Sequence, residues 1–432
     1  MPLNTLVTAA HPHRSARRRS TVRLGEPSRR SFLGGAVAAS CAAVGTLPTG
    51  GLFAAGDQRL RVGLIGCGGR GTGAALQALE ADPAVRVVAL GDRFADQVAS
   101  SAEVLGHHAG YRFDCPPARC FVGPGAFRGV IESGVDLVLL AAPPHVRPLH
   151  LEAAVAAGKH VYCEKPVAID VAGVVRAAAA AARSRAAGLA LVSGFCFRRD
   201  PRTVELVTRI HDGAIGRPRS VQTHAAIGLP WRKPVESGRE PGEWPLANWI
   251  SFARFSGGHF VEQHVQAIDR AAWILGDVSP VFAEPIGLDT PPFPNAARCT
   301  GYPSTGAIGD CATITAVRYT FAEGQTIEAS IDRRERSSDR IVESVTGSTG
   351  SCDLVRGTMA GRQPWATAST PGPARYRATM ETLVGGILSG NVAHDGAHMC
   401  RSTLLAVMGR MASETGGPVA WNGLAGGASD VA

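Results

Sequence analysis

Lysine is nearly absent. The 432-residue chain has three, Lys159, Lys165 and Lys233, against 41 arginines, so a lysine that falls inside a motif carries extra weight. Aromatic residues are few, 6% of the chain. No apolar run reaches the roughly 20 residues that a spanning helix needs. Ten cysteines are present, but none stands in a Cys-x-x-Cys pair and their spacing is irregular. That excludes a disulfide framework and a cysteine zinc site, and most read as small buried apolar residues. No metal-ligand spacing surrounds His259 and His264, so no metal is expected. Hydrophobic residues make up 45% and charged residues 19%, which excludes a disordered chain, and the length allows two or three domains.

Acidic residues are also scarce at the N-terminus. Residues 1–30 hold seven arginines against one acid, Glu26, and no charge follows until Asp57. Six of the eight net positive charges therefore precede residue 57, and two remain for everything after it. A near-neutral body is not that of a nucleic-acid binder. Ser28-Arg29-Arg30-Ser31-Phe32-Leu33 resembles a twin-arginine export signal. The mild apolar run Leu33–Leu47 follows, then the small residues Ala54-Ala55-Gly56, the layout of a signal peptide over residues 1–56. The expectation is export, already folded, to the periplasm. A lipoprotein anchored at Cys41 is the alternative.

The body opens with a dinucleotide pattern. Leu60–Ile65 reads as a buried strand, and Gly66-Cys67-Gly68-Gly69-Arg70-Gly71 is G-x-G-x-x-G. Thr72–Ala81 reads as a helix, and Val85–Leu90 as a second strand ending at Gly91-Asp92. Gly66 permits the tight turn, Gly68 lets backbone approach a pyrophosphate, and Gly71 lets helix and strand pack closely. Free amides at the helix start bind phosphate. Asp92 accepts from the adenine-side ribose hydroxyls, which favours NAD, and the adjacent Arg93 leaves NADP open. The alternation continues with strand Val135–Ala141, the turn Pro143-Pro144-His145, helix Leu149–Ala157 and strand Lys159–Tyr162. Cys163-Glu164-Lys165-Pro166, helix Val171–Ala187 and strand Leu189–Ser193 complete it. Ligands in such sheets sit beyond the carboxyl ends of strands, where His145 and Lys165 fall.

At Glu164-Lys165-Pro166 the chain begins to resemble the Gfo/Idh/MocA oxidoreductases, and over about residues 58–422 it is most similar to an exported branch of them. Further similar segments are Gly194–Asp200, Ile210–Gly216, Trp249–Gly276, Val345–Ser351 and Leu404–Met411. The resemblance implies a Rossmann NAD(P)-binding domain over 57–187, then a substrate and oligomerisation domain over 188–422 and a tail, 423–432. The second domain would carry an open, mostly antiparallel sheet. It implies a homodimer or homotetramer, and a lysine, Lys165, beside the nicotinamide and the substrate hydroxyl. Pro143, His145 and Glu164 join the glycine loop, Asp92 and Arg93 on the cofactor side. Many members pair that lysine with an Asp, and a His four residues later. Here Glu262 stands at the first position, as is usual for the exported branch, and Gln266 at the second, where that branch keeps His.

Glutamine does not titrate, so it can hold a substrate hydroxyl but not take its proton. A helix over 262–275 would put Glu262, Gln266 and Asp269 on one face and turn His264 away. Lys165 is then the proton acceptor, with Glu262 beside it; His264 is the remaining candidate. Arg198 and Arg199 offer planar forks for an acidic sugar, and one of them is expected to pair with an acid such as Asp200. Trp231, Trp244 and Trp249 stand in a Pro- and Gly-rich stretch, where they stack on sugar or pack at a subunit interface. The reading is an exported NAD(P)-dependent oxidoreductase that holds its cofactor tightly and acts on a sugar, cyclitol or derivative. The alternatives are an NAD-dependent glycoside hydrolase working by oxidation and elimination, and a sugar- or nucleotide-binding homologue in which Gln266 has impaired catalysis.

Overall fold

The computed structural model describes residues 59–234, 242–287, 309–334, 339–368 and 374–425. The proposed signal, residues 1–56, lies outside them. The first sheet contains β1 (Leu60–Ile65), β2 (Val85–Asp92), β3 (Cys120–Val122), β4 (Leu137–Leu140), β5 (His160–Cys163) and β6 (Leu191–Ser193). Its order is β3-β2-β1-β4-β5-β6, and every pairing is parallel. A parallel sheet covered on both faces needs continuous apolar strands. Leu137, Val138, Leu139 and Leu140 are accordingly all buried. The strand order reverses between β1 and β4, which is where such sheets open a ligand crevice.

Helices Gly69–Ala81, Ala95–Ala109, Ala126–Glu132, Arg147–Ala156 and Val171–Ala186 follow the successive strands. The helix Ala374–Ser389, far along the chain, returns to this layer: its Met380, Leu383, Val384 and Ile387 share a core with Ala74, Ala75 and Ala78. The outer edge of β6 is also closed from there, since Leu191 N–H donates to the Ala393 carbonyl and Asp395 N–H to the Leu191 carbonyl. This corrects the expected domain boundary at 187: the first sheet runs through Ser193, and residues 374–395 complete that layer. A boundary drawn along the sequence misses a helix that returns to bury an Ala-rich face.

The second sheet has nine strands in the order β14-β13-β12-β11-β7-β10-β9-β8-β15. They are β7 (Pro218–Ala226), β8 (Phe282–Pro285), β9 (Ile314–Thr320), β10 (Thr326–Asp332), β11 (Arg340–Gly347), β12 (Gly350–Asp353), β13 (Thr358–Gly361), β14 (Trp365–Ala366) and β15 (Val419–Ala420). Among the described residues only β7 and β10 pair in parallel, so the sheet is mixed and mostly antiparallel. Helices Val265–Ile274 and Gly396–Thr415 pack against it. The fold class is therefore the expected α/β arrangement, a Rossmann layer followed by an open, largely antiparallel sheet.

Candidate active site

The glycine loop sits where β1 turns into the first helix. Gly66 adopts a left-handed φ of 96°, and a Cβ there would lie 2.3 Å from the Ala142 backbone nitrogen. A Cβ at Gly71 would lie 1.8 Å from the Gly66 carbonyl. These two glycines are required by the protein's own backbone. Gly68 and Gly69 differ: a Cβ at Gly68 would meet only Gln97 Oε1, at 3.8 Å, and one at Gly69 would meet nothing within 4 Å. Their open side faces a cavity of about 470 Å³. Thr72 N–H already bonds the Gly68 carbonyl, which starts the helix and leaves the first amides free. That cradle fits the pyrophosphate of a dinucleotide.

Asp92 ends β2 at the rim of the cavity. Its carboxylate accepts from Cys67 N–H at 2.7 Å and from Phe94 N–H at 3.0 Å. Burial pushes its pKa up against those two donors, which pull it down. Arg93 leans towards Glu243, 3.9 Å away. Pro143 and His145 line the cavity at the end of β4. The His145 ring lies 4.9 Å from that of Phe255, and burial lowers its pKa. Trp231, Lys233, Leu246, Ala247 and Trp249 line the cavity as well. Two of the three loop tryptophans thus face the dinucleotide cavity. Trp244 instead packs edge-on against Phe252.

The Glu164-Lys165-Pro166 turn leaves the end of β5 with a cis Lys165–Pro166 bond. Lys165 Nζ donates to Glu262 Oε1 at 3.0 Å and to the Glu262 carbonyl at 2.7 Å. Both side chains are mostly buried, so the pair is held in place by its surroundings. Glu164 points inward rather than to the cavity. It accepts from Tyr162 Oη at 2.7 Å and from Lys165 N–H at 3.1 Å, and pairs with Arg70 Nε at 3.1 Å. Arg70, expected on the phosphate side, lines the cavity and also ties the glycine loop to the lysine turn.

A second arginine fixes this turn, and the sequence reading passed over it. Arg147 begins its helix and is 3% exposed. Its guanidinium donates to the Ala142 carbonyl at 2.5 Å and to the Pro166 carbonyl. It thereby links the rim of the cavity to the residue after Lys165. Among the described residues no carboxylate pairs with it, and burial depresses its pKa, with Glu164 and Glu262 opposing at longer range. A cation at a helix N-terminus runs against the helix dipole, and that is the signal that marks it in the sequence.

The stretch around Glu262 differs from the expected uniform helix. Phe260–His264 is a π-helical turn, and the α-helix begins only at Val265. This wider turn is common at functional sites. Glu262 faces Lys165, Gln266 Nε2 donates to the Gly194 carbonyl at 3.1 Å, and Asp269 accepts from Arg198 at 3.0 Å. Gln266 Oε1 is buried without a partner. His264 is not brought to this cluster. It is buried against β7, with Nε2 at 2.9 Å from Thr223 Oγ1, and burial pushes its pKa down to about 3. Its place in the catalytic set is therefore withdrawn. Arg198 and Arg199 are withdrawn as ligand forks too: Arg198 is held by Asp269 and Asp277, and Arg199 by Asp395. Asp200, proposed as an arginine partner, caps the helix Pro201–His211 instead.

Residues 60–190 match the Gfo/Idh/MocA family, described as an oxidoreductase family with an NAD-binding Rossmann fold. The myo-inositol 2-dehydrogenase of Thermotoga maritima is 28% identical over 226 residues, which is 52% of this chain and 58% of that protein. Inositol 2-dehydrogenase 4 of Saccharopolyspora erythraea is 34% identical over 163 residues, 38% of this chain and 44% of that protein. The chain thus spans about half the length of these curated relatives. Among solved structures, an aldose-aldose oxidoreductase from Caulobacter crescentus, complexed with glycerol, superposes with a TM-score of 0.62 at 20% identity, covering 84% of this chain and 99% of that one. A levoglucosan dehydrogenase in complex with NADH and L-sorbose gives 0.64 at 17%, with the same coverage. These likenesses establish the two-layer fold. Sequence match and cradle geometry agree that residues 60–190 are an NAD-binding Rossmann domain.

Proposed function

We propose, from that Rossmann domain of the Gfo/Idh/MocA kind, that the whole chain is an NAD-dependent oxidoreductase acting on a hydroxyl of a sugar or cyclitol. The observation that carries this reading is the Lys165 amine, held by Glu262 at the end of β5, on a turn that Arg147 ties to the rim of the dinucleotide cavity. The relatives' names, inositol 2-dehydrogenases above all, supply the substrate class.

Bound NAD supplies the hydride acceptor. The protein's own work is at oxygen: oxidising a secondary alcohol to a ketone also releases the hydroxyl proton, which needs a positioned acceptor. Lys165 Nζ relays that proton: as the hydroxyl proton moves to Nζ, an Nζ proton moves to Glu262 Oε1, 3.0 Å away. Gln266, whose Nε2 is held by the Gly194 carbonyl, does not titrate and takes no proton. Glu164, Arg70 and Arg147 hold the lysine turn and are positioning residues.

The basic, apolar and small-residue layout of residues 1–56 supports export by the twin-arginine route. An enzyme outside the cytoplasm has no free nicotinamide to draw on, so it folds around NAD before export and keeps it. Homodimers or homotetramers fit the open second sheet. Native mass spectrometry of protein recovered from the periplasm tests this: one NAD per chain is expected. Protein that arrives empty and cannot take up NAD contradicts it.

Gln266 favours one other reading, a sugar-binding protein without turnover. Comparing the natural chain with Gln266→His separates the two. Turnover only in the histidine variant would make the natural protein a binder.

A further inference from the structure

Arg333 follows β10 directly, and β10 lies against the π-helical turn that carries Glu262. The residue is 6% exposed. Its backbone N–H is anchored on the Thr313 carbonyl. The guanidinium has no hydrogen bond or ion pair with any described residue, and its Nε is buried unpartnered. Among the described residues, Glu262 and Asp339 are the carboxylates within electrostatic reach. Glu262 is engaged by Lys165, and Asp339 Oδ1 accepts from Gly228 N–H. His259, just before the π-helical turn, is also 6% exposed, with Nδ1 buried and unpartnered. Burial, with Arg333 adding to it, pushes the His259 pKa down to about 4, so the ring is neutral and free to bond.

A buried guanidinium without a partner is costly to maintain unless something pairs with it. Arg198 and Arg199, the forks nominated from the sequence, are fully used within the fold. We propose that Arg333, with His259 beside it and Lys165 across Glu262, forms an anion subsite of the substrate cleft, and that the substrate is a sugar or cyclitol bearing a carboxylate. The proposal rests on the oxidoreductase reading and names its substrate class. The planar fork suits the two oxygens of a carboxylate. Charge balance favours a monoanion over a phosphate dianion. With Lys165 engaged by Glu262 and His259 neutral, Arg333 is left with one positive charge to balance.

The test uses the full chain loaded with NAD. Binding is read by calorimetry, and turnover by nicotinamide absorbance, for D-glucuronate and D-galacturonate beside D-glucose, D-galactose and D-glucose 6-phosphate. The uronates are expected to lead their neutral counterparts by roughly tenfold or more in Kd or kcat/KM. Arg333→Gln should bring that ratio close to one, and Arg333→Lys should restore part of it. NAD affinity and melting temperature report whether each variant folds; if Arg333→Gln does not, Arg333→Lys still shrinks the ratio. Equal handling of neutral sugars and uronates by the natural protein, or equal weakening of both by Arg333→Gln, overturns the subsite. Tighter binding of the 6-phosphate than of the uronates overturns the carboxylate assignment. Arg333-dependent uronate binding without nicotinamide reduction by any sugar supports the subsite and removes the oxidoreductase reading. Reduction by neutral sugars alone does the reverse.

Discussion

Gly71→Ala and Gly68→Ala should fail in opposite ways. A Cβ at position 71 would sit 1.8 Å from the Gly66 carbonyl and 3.1 Å from Ala141 Cβ. Neither can swing aside, because Gly66 is locked in its turn at φ 96°. The first helix must lift off β1 and β4, and overpacking of this kind costs about 1–3 kcal/mol or somewhat more. Against a total stability of about 5–15 kcal/mol, the melting temperature should fall by several degrees. Gly68 sits at φ −70° and ψ 177°, a conformation that alanine adopts freely, and its added Cβ would meet only Gln97 Oε1, at 3.8 Å. Its stability should hold within about 0.5 kcal/mol. The same Cβ lies where a pyrophosphate must approach the helix amides. Losing one hydrogen bond to a charged group, about 1.5–3 kcal/mol, weakens NAD binding by roughly ten- to a hundredfold. Thermal melts with and without NAD, plus a fluorescence titration of NAD, read both effects. Gly68→Ala binding NAD like the natural protein, or Gly71→Ala melting like it, refutes the cradle.

Three further outcomes follow from the geometry. Arg147→Met removes two carbonyl partners but also a buried, unpaired cation, so the two effects offset and stability should change by no more than about 2 kcal/mol. With the lysine turn released, kcat should drop roughly tenfold or more while KM moves less, and an unchanged kcat contradicts the clamp. His150, His259 and His264 are pushed down to about 4, 4 and 3 from the ordinary 6.5. The unfolded chain therefore binds more protons below pH 6.5, and stability should fall as pH drops from there towards about 3. His264→Gln should flatten that slope in denaturant melts, and an identical slope refutes the assignment. NAD should bind at least about tenfold more tightly than NADP, because the extra phosphate meets the Asp92 carboxylate while Arg93 leans towards Glu243. Equal affinities in a competition titration contradict this.

The dinucleotide layer was legible because its signals are local. Buried parallel strands are continuous apolar runs, and Leu60–Ile65 coincides with β1 residue for residue. The three-residue β3 escaped, being too short to show a period. The contact between Lys165 and Glu262 was legible through a resemblance, since nothing local links residues 97 positions apart. What stayed hidden depends on tertiary neighbours. Arg198 and Arg199 look like ligand forks until Asp269, Asp277 and Asp395 arrive from other elements. Arg333 looks like one basic residue in a run of them until its burial is seen. The π-helical turn at 260–264 shifts the helical phase, and a uniform 100° step cannot anticipate that.

The central claim is that Lys165 moves the proton while bound NAD takes the hydride. A single-turnover experiment tests it most directly. NAD-loaded protein is mixed with a panel of inositols, neutral sugars and uronates, and nicotinamide absorbance is followed in the natural chain and in Lys165→Met. Reduction by at least one compound is predicted for the natural protein, and slowing by roughly a hundredfold or more for Lys165→Met that still carries NAD. Equal rates in the two proteins, or no reduction by any member of the panel, would contradict the account.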